Sequence, residues 1–311
     1  MSVDISVRVG DLALGHPIIN GSGTFDAIAA RRAYGDALLE RFPFAAFVSK
    51  TITPEPRAGN PPPRLYETPA GMINSIGLPN KGRQGFLEHD LPVLAELPVP
   101  LVVSVMAPSR DSFAELAEQV GRRDEVAAIE LNVSCPNVKS GLIVGERPEE
   151  TTALLGALRP LTDKPLMVKL TPNVADPSEV ALAAEAAGAD AVSLINTLKA
   201  AALDPETLEP WLGAGSGGLS GPAIRSVALS QVRRVAAAVS IPVIGMGGVE
   251  SGADALALLA AGATAVAVGT VNFRDPLAAE RVLEELREEL DRRGITQIGD
   301  LRAIPAGSTS T

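Results

Sequence analysis

Residues 185–197, "EAAGADAVSLINT", and residues 259–270, "LAAGATAVAVGT", are two versions of one phrase. Each leaves an alanine-rich stretch, passes a glycine, and enters a short apolar run closed by a polar residue. Alanine is the best helix former, and glycine is a usual helix C-cap. A short apolar run that does not alternate reads as a strand buried on both faces, the mark of a parallel sheet. Used twice, the phrase suggests a chain assembled from repeated βα units.

Six more runs of the same kind complete the set: "HPIINGSG" (16–23), "AAFVSKT" (45–51), "PLVVSVM" (100–106), "AAIELNVS" (127–134), "PLMVKLT" (165–171) and "IPVIGMGG" (241–248). Helical patterns lie between many of them. "SRDSFAELAEQVGRR" (109–123) starts with serine and aspartate capping candidates, whereas "DPSEVALAAEAAGA" (176–189) and "SGADALALLAAGA" (251–263) are alanine- and leucine-rich and end at glycine. "DPLAAERVLEELREELDRRG" (275–294) is a charged amphipathic helix, expected to close the chain with a solvated face. Eight strand candidates in 311 residues fit a (β/α)8 TIM barrel, taken as one α/β domain over 1–311. An open doubly wound sheet is the other reading, but no G-x-G-x-x-G follows the first strand.

Composition narrows the function. The chain is 46% hydrophobic and 21% charged, with a net charge of −10. That balance suits a globular protein and argues against nonspecific binding to nucleic acid or to anionic membranes. No apolar run reaches the roughly 18 residues of a membrane span, and the opening "MSVDISVRVGDLALGHP" lacks a signal-peptide layout, so the expected location is the cytoplasm. His16 and His89 are the only histidines and show no metal-ligand spacing. The single cysteine, Cys135, cannot form an internal disulfide. It is either a small apolar filler or a reagent.

Three connections are long: 52–82 after the second strand, 135–150 after the fourth and 198–223 after the sixth. Long loops in compact domains are usually functional or disordered, and all three lie where barrels build active sites, after strand C-termini. The strand ends themselves carry Ser22, Lys50, Asn132 with Cys135, Lys169, Asn196 with Thr197, Gly247 with Gly248, and Gly269 with Thr270. In a barrel all of them face one mouth. The glycines after the last two strands suit a phosphate held by backbone N–H groups, with Lys50 and Lys169 as candidate cations.

Together, "NSIGLPN" (74–80), "NVSCPN" (132–137), "VKLTPN" (168–173), "INTLKAAALDPET" (195–207), "GGLSGPAI" (217–224), "IPVIGMGG" (241–248) and "VGT" (268–270) make the chain resemble dihydroorotate dehydrogenase, most closely its class 1B catalytic subunit. The likeness runs from about residue 5 to residue 300 in order and spacing. It implies FMN at the barrel mouth, contacted by Ser22, Lys50, Thr51, Ser104, Asn132, Lys169, Ile195, Gly221, Gly247, Gly248, Gly269 and Thr270. It implies that Lys50, Asn74, Ser75, Ile76, Gly77, Leu78, Asn132, Asn196 and Thr197 bind dihydroorotate. Ser104 stands where relatives carry asparagine. Serine is shorter, so a contact through water is the expectation there.

Oxidation of dihydroorotate removes a hydride from C6 and a proton from C5. The resemblance makes Cys135 the base for that proton, on a loop in which Pro136, Gly141 and Gly145 suit closure over the substrate. A free thiol has a pKa near 8.5, so a rate rising with pH is expected. The chain shows no cysteine cluster and no NAD fingerprint. The resemblance accordingly implies a homodimer, at the centre of a heterotetramer with a second subunit carrying FAD and a [2Fe–2S] cluster, and NAD⁺ as final acceptor. The rival readings are an FMN-dependent dihydropyrimidine (dihydrouracil) dehydrogenase, a colourless phosphate-binding isomerase or lyase barrel, and a noncatalytic scaffold. The run of polar strand ends disfavours the last.

Overall fold

The computed structural model describes residues 3–133 and 144–301. Every expected apolar run contains a strand. They are β1 (Ile18–Asn20), β2 (Phe47–Val48), β3 (Leu101–Val105), β4 (Val126–Asn132), β5 (Leu166–Lys169), β6 (Ala191–Leu194), β7 (Val243–Met246) and β8 (Ala265–Val268). They form one parallel sheet in the order β1-β8-β7-β6-β5-β4-β3-β2.

The sheet curls until β1 meets β2, and a side chain makes the join. Asn20 is fully buried; its Nδ2 donates to the Val48 carbonyl at 2.8 Å, and its Oδ1 accepts from the Val48 N–H at 2.8 Å. A primary amide offers the same donor and acceptor as a peptide group, so Asn20 replaces the missing ladder rung. One backbone bond, from Ala45 N–H to the Ile18 carbonyl, completes the seam.

Each strand is followed by its helix: α1 (Ala27–Tyr34), α2 (82–94, with a π-helical middle turn), α3 (Arg110–Gly121), α4 (Pro148–Leu158), α5 (Pro177–Ala186), α6 (Arg225–Ala238), α7 (Gly252–Ala260) and α8 (Ala278–Arg292). Ser109 caps α3 through its side chain, as the sequence predicts, and Asp176 and Ser251 cap α5 and α7 in the same way. The charged helix α8 buries Val282, Leu286 and Leu290 and leaves its charged face outside. It lies so close to α7 that a Cβ on Gly252 would stand 2.2 Å from the Leu286 nitrogen.

Alternating strand residues divide the core. One set packs outward against the helices. The other fills the barrel, with Val102, Ala128, Met167, Ile244 and Ala265 in its lower part. A hairpin that the sequence reading did not resolve, Val7–Val9 with Leu12–Leu14, adds Val9 and Leu14 to that interior cluster and closes the N-terminal end. Above it the interior turns polar: Ser104, Glu130, Ser193, Asn132 and Lys169 are all buried there.

At the C-terminal end, the loops after β2 and β6 are not separate coils. They pair as an antiparallel sheet in the order Leu198–Ala200, Gly217–Ser220, Gly71–Asn74, Leu65–Thr68. Among the described residues no helix is long and apolar enough to cross a membrane.

Candidate active site

A cavity of about 480 Å³ opens at the C-terminal ends of the strands. That is within the range of cofactor and substrate pockets. Every strand except β3 contributes to its lining: Ser22 from β1, Lys50 and Thr51 from β2, Asn132 from β4, Lys169 from β5, Ile195, Asn196 and Thr197 from β6, Met246, Gly247 and Gly248 from β7, and Ala267, Gly269 and Thr270 from β8. The loop sheet supplies Asn74 and Ser220, and the turns beside it Ile76, Gly77, Leu78 and Gly221.

Lys50 ends β2 with its side chain laid over Gly23, where a Cβ would come within 2.6 Å of it. Glycine at 23 therefore makes room for the lysine. Lys169 is 7% exposed, and its ammonium has no hydrogen-bond or ion-pair partner among the described residues. A buried ammonium is costly unless something completes it, so the site is built for a ligand that brings negative charge or acceptors.

Hydroxyls link several lining groups. Asn132 Nδ2 donates to Thr51 Oγ1 at 3.0 Å, and Thr51 lies 3.2 Å from Ser22 Oγ and 2.9 Å from Ser104 Oγ. Ser22 itself donates to the Ser49 carbonyl at 2.9 Å. Across the mouth, Asn173 does for the β6 end what Asn20 does for the seam. Its Nδ2 donates to the Thr197 carbonyl at 3.1 Å and its Oδ1 accepts from the Lys199 N–H at 2.8 Å, which fixes the backbone beside Asn196 and Thr197.

The glycine side is shaped for backbone contact. Gly247 has φ +130°, and a Cβ there would meet the Ala228 Cβ at 2.7 Å. Gly248 and Gly221 also have positive φ, at +75° and +90°. Only glycine adopts these angles freely, and the bare backbone lets an anion approach N–H groups closely. Arg225, which was not singled out from sequence, lies against this turn and donates to the Gly248 carbonyl at 2.8 Å. It also pairs with Asp254 at 3.0 Å, and Glu250 beside it pairs with Arg274 at 3.3 Å.

Two expected contacts are placed elsewhere. Ser104 and Ser75 do not line the cavity; both are fully buried. Ser104 holds Thr51 from below, and Ser75 Oγ accepts from Asn60 at 3.0 Å. Cys135 and most of its loop, with Pro136 and Gly141, lie outside the described residues. Sequence reasoning missed Glu67, Met72, Met246, Glu250 and Phe273, which also line the cavity. Apolar or solvated residues on loops carry no local signal of what they face. Asn173 stood in a quoted motif, but only the fold shows what it holds. Among the described residues no group of three or more His, Cys, Asp or Glu side chains is placed to hold a metal ion.

The donor set fits a phosphorylated flavin: a glycine cradle at β7 and β8, a buried ammonium at β5 with no partner among the described residues, and amide and hydroxyl groups at β4 and β6. A family model described as dihydroorotate dehydrogenase matches residues 5–290. A dihydroorotate dehydrogenase B (NAD(+)) catalytic subunit of Trichlorobacter lovleyi is 47% identical, over 97% of this chain and 98% of that protein. The protein of the same name in Listeria monocytogenes is 43% identical, over 96% and 97%. Among solved structures, the DHODH of Eimeria tenella in complex with ferulenol matches with a TM-score of 0.78 and 25% identity, over 96% of this chain and 87% of that one.

Proposed function

The chain belongs to the dihydroorotate dehydrogenase family, and from that premise we propose that its cavity binds FMN and oxidises (S)-dihydroorotate to orotate in pyrimidine biosynthesis. The observation that carries the reading is Lys169, a buried cation at the barrel mouth with no partner among the described residues.

Bound FMN supplies the acceptor for the C6 hydride. The residues of the chain do the rest. Gly221, Gly247, Gly248, Gly269 and Thr270 cradle its phosphate, and Lys169 offsets negative charge at its ring. Lys50 faces the substrate carboxylate. Asn74, Asn132, Asn196 and Thr197 present donors and acceptors to the ring edges, which are amide-like. The C5 proton passes to Cys135, the base that the sequence motif supports.

The relatives are catalytic subunits by name, which supports a partner. We read that partner as an FAD and [2Fe–2S] subunit that passes electrons to NAD⁺, with two copies of this chain at the centre of a cytoplasmic heterotetramer. Single-turnover flavin reduction tests the reading. Dihydroorotate reduces the flavin and dihydrouracil does not; Cys135→Ala retains FMN and orotate binding but is reduced orders of magnitude more slowly. Reduction by dihydrouracil at a similar rate, or an unimpaired alanine variant at neutral pH, would overturn it.

A further inference from the structure

Glu130 is a carboxylate buried inside the barrel, 3% exposed, and nothing in the proposed reaction uses it. It sits on β4 two residues before Asn132, so both side chains face the interior. Ser104 Oγ donates to its Oε1 at 3.0 Å and Ser193 Oγ to its Oε2 at 3.3 Å. Both serines are fully buried. Through Ser104 the carboxylate is wired to the cavity: Ser104 Oγ is 2.9 Å from Thr51 Oγ1, which is 3.0 Å from Asn132 Nδ2.

Each hydroxyl has one proton to give. An ionised carboxylate only accepts, so Ser104 spends its proton on Glu130 and must accept from Thr51. Thr51 then has none left and must accept from Asn132. With the Asn132 amide reversed, Thr51 would donate to Asn132, and Thr51 and Ser104 would face each other 2.9 Å apart with no hydrogen between them. Ser22 cannot relieve this, because its own proton goes to the Ser49 carbonyl.

We propose that Glu130 sets the direction of the chain Asn132–Thr51–Ser104–Glu130, and thereby holds the Asn132 amide with its nitrogen toward Thr51 and its oxygen toward the cavity. Glu130 is thus a positioning residue that makes position 132 an acceptor for an N–H edge of the substrate ring. The inference rests on the reading of the cavity as an orotate site.

The test is calorimetric titration of orotate into the flavin-loaded protein. Glu130→Gln keeps the shape but can donate to Ser104, so the chain can run backwards and the Asn132 amide can turn. Orotate affinity is expected to fall about tenfold. Ser104→Ala, which cuts the chain and leaves Glu130 in place, is expected to lower it similarly. Ser193→Ala, which touches Glu130 away from the chain, should leave it within about twofold. In an Asn132→Ala background, Glu130→Gln should have no further effect, whereas a general loss of structure would persist there. Unchanged affinity in Glu130→Gln and Ser104→Ala, or an equal loss in the Asn132→Ala background, overturns the proposal while leaving the orotate site standing. Failure of the unmutated protein to bind orotate overturns the site and the proposal together.

Discussion

A buried ammonium that finds no partner among the described residues shows its worth only when a ligand arrives. Lys169 is in that position, and replacing it separates stability from binding. Lys169→Met removes a desolvated charge and keeps the bulk, so the flavin-free protein should melt no lower than the parent. FMN affinity should fall at least about tenfold, as a charge-assisted contact is worth roughly 1.5–3 kcal/mol. Thermal melts and flavin titration check both; a lower melting point with unchanged FMN affinity would contradict the role. His16 offers a second test at this scale. Burial, with a contribution from the Arg287 cation, pushes its pKa down from 6.5 to about 4. Its Nδ1 accepts from the Ile18 N–H at 3.3 Å, which only an unprotonated nitrogen can do. The folded state therefore prefers neutral His16. That preference contributes fully above pH 6.5 and is lost as the pH falls toward 4, about 1–3 kcal/mol in all. NMR titration of the two imidazoles, His16 and His89, checks it, and a normal pKa for His16 would contradict it.

Secondary elements here were legible where one local signal decides them. The apolar runs gave all eight barrel strands, and Ser109 marked a helix start correctly. The joins between elements were not, because they depend on residues far apart in the chain. Asn20 bonds to Val48, 28 positions away, and reads in sequence as an ordinary turn asparagine. Asn20→Ala would strand a buried N–H and a buried carbonyl at the β1–β2 seam. Chemical denaturation should show a loss of about 2–4 kcal/mol. A loss below about 1 kcal/mol would mean that the seam closes without the amide. The loop sheet was hidden for the same reason. Met72 pairs with Ser220 across 148 positions, and neither loop alternates apolar and polar residues as a lone strand would.

Viewed whole, the molecule is a barrel with a sealed base and a polar mouth. The hairpin fills one end with Val9 and Leu14, and the other end gathers the strand-terminal residues into one cavity. Most of the site residues chosen from the sequence line that cavity because a barrel puts every strand C-terminus on one rim. Ser75 and Ser104 are the exceptions among the described residues, and both turn inward to hold neighbours. Among the described residues none displays a route for electrons to NAD⁺. The central claim is that dihydroorotate reduces a flavin held in this cavity, and the visible spectrum under anaerobic conditions tests it most directly. The purified chain should be yellow, one equivalent of dihydroorotate should bleach it, and NAD⁺ alone should not restore the colour. A colourless protein that takes up no FMN, or a yellow one that dihydroorotate leaves unbleached, would contradict the account.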